Sequence, residues 1–326
     1  MSVAMMFRKV AISLVLSVAA FTASAQYALP TVSVTNLRSR PAHSSEMVSQ
    51  VVTGTPLKVL SRQGAWLYVE TPEGYKGHVR GNTLCELDKA GMSAWQSADR
   101  VAVTARDRQW LHSRPEDSWE SRIADVLPGA ILELVEPLGR ADFTKVRLPD
   151  GREGYIPREA VATLGQWAAY ASASAPAASV ADGHSMMGTP YLWGGTSVLG
   201  VDCSGFTQTQ LYRYGILLPR DASQQARIGE PVYERKPGEA LSAVILDRLE
   251  PGDLLFFGNP STRRVTHVGF YAGDGYILHC SGRVKRNTLL PGPEVDKELY
   301  LLSARRLSPE TISSLSVSSM PVYGIN

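Results

Sequence analysis

Apolar residues along the 326-residue chain fall into three kinds of run. The first is one block, Val10 to Phe21, with Arg8 and Lys9 before it and Ala23-Ser24-Ala25 after it. Basic residues, a short apolar stretch and small residues in that order predict a secretory signal peptide over residues 1–25. A bilayer span takes about 20 apolar residues, and no later stretch is that long. The pattern therefore predicts an exported chain, periplasmic or extracellular, with no membrane span. The second kind, over 31–165, consists of short alternating runs broken by Gly, Pro and Asp, which predicts strands and tight turns. The third, over 176–307, mixes a partly amphipathic stretch after Asp202 with longer alternating runs such as "RVTHVGFYAGDGYILHCSG" at 264–282. Strands together with a few helices make this last unit α+β.

The β-rich part repeats itself. "LRSRP" at 37–41 returns as "LHSRP" at 111–115, Gly54 as Gly129, and "TPEGYKGHV" at 71–79 as "LPDGREGYI" at 148–156, with offsets of 74, 75 and 77 residues. A nearly constant offset marks a duplicated module, and its short, punctuated strands suit a small, strongly bent barrel. The opening Asn36-Leu37-Arg38-Ser39-Arg40-Pro41 and the closing strands Gly77-His78-Val79 and Gly154-Tyr155-Ile156 resemble those of bacterial SH3 domains. The modules are placed at 31–90 and 100–165. Between them "DKAGMSAWQSADR" suits a short helix or a loop. After them "YASASAPAASVADG" is small and polar enough for a linker, though its alanines also tolerate a helix. The Ser-rich tail, 308–326, has little apolar periodicity and is expected to be poorly ordered.

Charge narrows the partners. The whole chain carries a formal charge of +2, and loss of Arg8 and Lys9 with the signal leaves acidic and basic residues balanced. Nothing favours nucleic acid or an anionic membrane. Three cysteines, Cys85, Cys203 and Cys280, are an odd number for an oxidising compartment, so at least one thiol is free unless it pairs between chains.

Cys203 is the thiol with a setting. Asp202 is a good N-cap, which makes Cys203 the first helical residue. The positive end of a helix stabilises a thiolate, so the free-thiol pKa of roughly 8.5 is expected to fall toward neutrality. Two of the six histidines lie in the 264–282 stretch, which reads as a hairpin about Gly273-Asp274-Gly275. A three-residue loop sets Ala272 opposite Tyr276 and puts His267 and His279 diagonally on one face, about 7–8 Å apart in backbone position. A two-residue loop would separate them. In this arrangement His267 takes the Cys203 proton, His279 orients His267, and Tyr191 supports the oxyanion. A buried inert thiol and a Cys-His-His zinc site are the alternatives, the zinc site weakened by the lack of a closely spaced ligand pair. Cys280, beside His279, is expected to face away into packing, and Trp193 to be a core aromatic.

The elements "GTPYLWGG", "DCSGF", "PRDASQQ", "GDLLFFG" and "THVG" occur in order over about 186–307. Together they resemble the NlpC-type cell-wall peptidases, a papain-like group. The resemblance implies a cysteine peptidase that cuts the γ-D-glutamyl–L-diamino acid bond of peptidoglycan stem peptides. Cys203, His267 and His279 would be the catalytic set and Tyr191 the active-site tyrosine; no cofactor, metal or obligate protein partner is implied. Members with paired SH3 domains use the first barrel to wall off the cleft, so that peptides with a free N-terminal L-Ala fit. Asp202, Ser204 and Ser223 match positions that hold L-Ala-γ-D-Glu, and Glu46 resembles the barrel carboxylate that meets the amine. The family's barrel also offers an aromatic hydroxyl, whereas His78 stands where an aromatic is usual. Residues 231–247 look longer than the family's connection. A cell-wall peptide-binding protein without activity is the alternative, and intact Cys203, His267 and His279 speak against it.

Overall fold

The computed structural model describes residues 26–289 and 300–325. The predicted signal peptide lies outside them. Two seven-stranded sheets come first. One contains β1 (Tyr27–Pro30), β2 (Val34–Arg38), β3 (Met47–Val52), β4 (Leu57–Gln63), β5 (Trp66–Glu70), β6 (Lys76–Arg80) and β7 (Leu84–Leu87). The other, after helix α1 (Lys89–Ser97), contains β8 (Arg100–Val103), β9 (Gln109–His112), β10 (Arg122–Val126), β11 (Ile131–Leu134), β12 (Phe143–Arg147), β13 (Glu153–Pro157) and β14 (Val161–Thr163). Their strand orders, β3-β2-β6-β5-β4-β1-β7 and β10-β9-β13-β12-β11-β8-β14, are the same order twice. The repeat is written in the cores as well. Ala28, Leu37, Val51, Leu57, Val69 and Val79 fill the first, and Val101, Leu111, Val126, Leu132, Val146 and Ile156 are buried at matching places in the second. Inward residues on alternate positions bend each sheet around one apolar centre. The first barrel begins at β1, earlier than its expected start at 31.

Helices α2 (Leu164–Ala169) and α3 (Ala175–Gly183) lead into the third unit. The stretch that suited either a linker or a helix is therefore a helix, and it buries Ala175, Ser179 and Val180. Next come a two-stranded ribbon, β15 (Thr196–Ser197) and β16 (Gly200–Val201), then α4 (Cys203–Tyr212), α5 (Ala222–Gln225), β17 (Glu230–Glu234), α6 (Ala243–Leu246), β18 (Leu254–Gly258), β19 (Val265–Tyr271), β20 (Tyr276–Ser281), β21 (Arg283–Thr288) and β22 (Leu301–Arg306). The sheet runs β17-β22-β18-β19-β20-β21. Helix α4 packs on one face through Phe206 and Leu211 against Phe256, Val268, Phe270 and Leu278. The long connection after α5 covers the other face, where Tyr233, Ile245, Leu246 and Leu249 meet Leu255, Phe257, Tyr271 and Ile277. Asp253 of the "GD" step is structural: buried, it takes both Arg306 Nε and Arg306 Nη2 at 2.8 Å.

The tail is ordered, contrary to expectation. Ser308 caps α7 (Pro309–Leu315), accepting from the Thr311 backbone N–H. Beyond it Val317 and Tyr323 are fully buried, and Tyr323 packs edge-on to Trp167 and shares a 3.0 Å hydroxyl contact with Tyr212. Arg100 of the second barrel and Gln96 of α1 donate to carbonyls of residues 321–324. A few well-placed apolar side chains anchored by hydrogen bonds order a segment that periodicity alone does not mark.

Candidate active site

Asp202 takes extended backbone angles and its Oδ1 accepts the Gly205 N–H at 2.7 Å, so α4 starts on Cys203 as its N-cap dictates. The backbone N–H groups of Ser204 and Val268 lie close enough to the Cys203 sulfur to favour its thiolate. The sulfur therefore rests against the peptide that joins His267 to Val268. The hairpin has the expected register: Phe270 faces Leu278, Tyr271 faces Ile277, and Ala272 N–H bonds to Tyr276 carbonyl at 2.8 Å. All three loop residues take positive φ, 83° at Gly273, 51° at Asp274 and 75° at Gly275, which explains the two glycines. Gly269 is required for another reason. A Cβ there would come 2.7 Å from His279 Cβ, in the space the two imidazoles use.

His267 Nε2 lies 2.7 Å from His279 Nδ1, and His279 Nε2 lies 2.9 Å from Asn287 Oδ1. This chain fixes protons. The amide oxygen only accepts, so His279 carries its hydrogen on Nε2, its Nδ1 accepts, and His267 donates from Nε2. His267 Nδ1 is left without a proton, as a base requires. Asn287 had no signal in the sequence, since it lies eight residues past His279 on a strand that carries no motif.

The acidities differ from expectation. Burial, then the neighbouring Asp202 carboxylate, push the Cys203 thiol up to about 11, outweighing the helix start and the two backbone donors. Burial, then His279 and Lys285, push His267 down to about 3. A lone charge on either group is costly in this setting, so a Cys203 thiolate is favoured only with an imidazolium beside it. Tyr191 is held well above its ordinary value by burial, then by Cys203 and Asp202, so its hydroxyl keeps its proton. Cys280 faces the α4 side, where its thiol donates to Val201 carbonyl at 3.3 Å and is pushed up to about 12. The two imidazoles bond to each other instead of converging on one point, and among the described residues no three His, Cys, Asp or Glu side chains could hold a metal ion.

Cys203 opens into a cleft of about 380 Å³ between the third unit and the first barrel. The barrel contributes Glu46 and Tyr75, and the other wall includes Tyr191, Trp193, Asp221 and Ser223. Trp193 is thus no core aromatic: it is 61% exposed and its Nε1 donates to Glu46 Oε1 at 2.8 Å. The barrel's aromatic hydroxyl is Tyr75, which reaches Asp221 Oδ1 at 3.4 Å, whereas His78 stacks on Tyr68 with ring centres 4.7 Å apart. Asp202 lies at the cleft but spends both oxygens, on Gly205 N–H, Gly194 N–H, Ser204 Oγ and the Arg220 guanidinium. Arg220 is 2% exposed and also donates to Ser204 Oγ at 3.0 Å and to Ser49 Oγ of the barrel at 3.2 Å. Removing one partner of such a buried pair costs about 3–5 kcal/mol. Asp202 and Arg220 therefore hold the site's shape from behind.

Residues 188–297 match the model of the NlpC/P60 family, and residues 33–84 match that of a bacterial SH3 domain. The chain carries an NlpC/P60 domain. It is 29% identical over 255 residues to a Lysinibacillus sphaericus protein named dipeptidyl-peptidase 6, over 76% of this chain and 84% of that one. It is also 29% identical over 262 residues to a Bacillus cereus protein named gamma-D-glutamyl-L-lysine dipeptidyl-peptidase, over 75% of this chain and 70% of that one. A crystal structure of an NlpC/P60 family protein from Bacillus cereus shares the fold, with a TM-score of 0.67 at 22% identity, over 86% of this chain and 99% of that one. Within the NlpC/P60 domain the buried Gln225 of "PRDASQQ" accepts from Thr207 Oγ1 and donates to the Ser204 and Pro219 carbonyls. It ties α5, which carries Ser223, to the helix that carries Cys203.

Proposed function

We propose that the protein is a cysteine peptidase hydrolysing the γ-D-glutamyl–L-diamino acid bond of peptidoglycan stem peptides, with a preference for a free N-terminal L-Ala. The observation that carries this reading is one cleft lined by the Cys203 thiol, by Glu46 and Tyr75 of the barrel and by Asp221 of the opposite wall, which the Tyr75 hydroxyl reaches. Carboxylates and a phenol there suit an ammonium group, and the barrel residues Glu46, Val48 and Tyr75 form one wall of the cleft. Ser204 and Ser223 supply hydroxyls for the glutamyl part, with the Arg220 charge behind Ser204.

The chemistry follows from the tautomer. The thiol proton passes to His267 Nδ1 as sulfur attacks the γ-carbonyl carbon, so the thiolate forms only alongside an imidazolium. His279 Nδ1 and Asn287 Oδ1 stabilise that imidazolium through the chain of hydrogen bonds. The Cys203 backbone N–H and the Tyr191 hydroxyl are suited to the oxyanion. His267 then protonates the leaving nitrogen, and water, deprotonated by the same imidazole, releases the acyl group from sulfur.

Export through residues 1–25 belongs to the same proposal, with the periplasm or cell exterior as the site of action. Among the described residues no helix is long and apolar enough to cross a membrane. The test is release of free lysine from L-Ala-γ-D-Glu-L-Lys. Cys203→Ala is expected to lower kcat by at least about 10⁴-fold with an unchanged melting temperature. Turnover by that variant, or loss of wild-type activity with a chelator but not with iodoacetamide, would overturn the reading.

A further inference from the structure

The reading above assigns the acyl half of the substrate and leaves the leaving amine without a partner. Because His267 must protonate that nitrogen, the diamino acid lies on the histidine side of Cys203, away from the barrel. A half-buried cation stands on the strand beside the histidines. Lys285 on β21 is the direct cross-strand partner of His279, so both side chains project from one face of the sheet. Its neighbours on that face are His279 on β20 and, two residues away along β21 in either direction, Asn287 and the exposed Arg283, and its charge is close enough to act on both imidazoles. Lys285 is half-buried, and no carboxylate among the described residues forms an ion pair with it. Among the described residues other buried or half-buried cations do meet carboxylates: Arg213 pairs with Asp182, Arg220 with Asp202, Arg305 with Glu234 and Arg306 with Asp253.

A cation placed beside a base that must stay neutral and then accept a proton works against the imidazolium, so its position has a cost for catalysis. A substrate anion arriving beside it removes that cost. We infer that Lys285 is a specificity-determining residue that binds a carboxylate of the leaving diamino acid, so that the enzyme favours an amine component that brings negative charge to β21. The inference rests on the peptidase reading and names a feature of its substrate. Two carboxylates qualify: the α-carboxylate of a terminal diamino acid, and the second carboxylate that diaminopimelate has and lysine lacks. When either sits against Lys285 the ammonium is neutralised, and proton uptake by His267 becomes easier in the complex than in the free enzyme.

Three peptides, compared in two pairs, separate the two sources. L-Ala-γ-D-Glu-L-Lys as free acid and as C-terminal amide differ only in the α-carboxylate. The α-amidated lysine and α-amidated diaminopimelate peptides differ in the second carboxylate. The wild type is expected to favour the more anionic member of at least one pair by about tenfold in kcat/KM, the scale of one charge-assisted hydrogen bond. Lys285→Met should collapse that ratio toward one, and Lys285→Arg, which keeps the charge, should retain it. A change in the histidines' acidity alone alters all three rates together and leaves the ratios standing, so the ratio is the measurement. Should Lys285→Met express poorly, Lys285→Gln replaces it. Ratios that are unchanged by the neutral substitutions, or a wild type with no preference in either pair, overturn the inference while leaving the peptidase intact. A wild type that cleaves none of the three peptides overturns the peptidase reading instead.

Discussion

The two barrels share strand order, core positions and turn sequences, yet they do different work. Their third turns show how. In "TPEGYKGHV" the residue after Gly74 is Tyr75, which reaches across to Asp221 in the cleft; in "LPDGREGYI" the corresponding Arg152 folds back on Asp150 at 2.8 Å, on the surface. Gly54 and Gly129 make the same point. Both take positive φ, 73° and 85°. A Cβ on Gly54 would come 2.0 Å from the Ile131 carbonyl oxygen of the second barrel, and one on Gly129 would come 2.4 Å from the ring of Tyr212 on α4. The same turn thus docks the first barrel on the second and the second on the catalytic domain. Duplication supplied one scaffold, and a handful of surface residues decided that one copy is a cleft wall and the other a pedestal.

The largest expected effect comes from that docking. Gly54→Val and Gly129→Val each combine backbone strain of about 1–3 kcal/mol with a clash against a fixed neighbour, so both should melt well below the wild type. They should differ in activity. Gly54→Val moves the cleft wall and lowers kcat/KM in the fraction that stays folded, while Gly129→Val acts on stability through α4. Wild-type melting of both variants would break the comparison.

A smaller effect is expected at the turn itself. Glu46→Gln and Tyr75→Phe should reduce the preference for a free over an N-acetylated peptide by about 10-fold each, the range of one hydrogen bond to a charged group. Arg152→Ala in the pedestal should leave kcat/KM within about twofold, as expected for an exposed pair. Equal cleavage of free and acetylated peptides by the wild type would remove the wall from the scheme.

The smallest effect is one of pH. Burial raises the Asp221 carboxyl above its ordinary value, against the pull of Arg220 and the Tyr75 hydrogen bond. An ionised Asp221 favours the ammonium, so the preference for a free amino terminus is present above that raised pKa and fades as pH falls through it. Comparing free and acetylated peptides across an acid series reads this directly. The preference should lose that pH dependence in Asp221→Asn, and an unaltered profile there would transfer amine recognition wholly to the barrel.

Much of this was legible in advance because it is local. The repeat, the N-cap at Asp202 and the hairpin register follow from spacing and turn chemistry, and the loop parity was enough to bring His267 and His279 onto one face. Trp193, Tyr75, Asn287 and the tail were not legible for a common reason. Each gets its role from a surface supplied by a distant segment: Glu46 for Trp193, Asp221 for Tyr75, His279 for Asn287, and Trp167 with Tyr212 for Tyr323.

The thiol shows the boundary most clearly. By itself the sequence determined that Cys203 begins a helix and that two histidines accompany it, since caps and strand alternation act over a few residues. Only the tertiary structure decided that the sulfur is pushed up and His267 down, because desolvation depends on everything packed around a charge and no local pattern records it. The same holds for the cleft, whose carboxylates come from two domains joined only when the chain has folded.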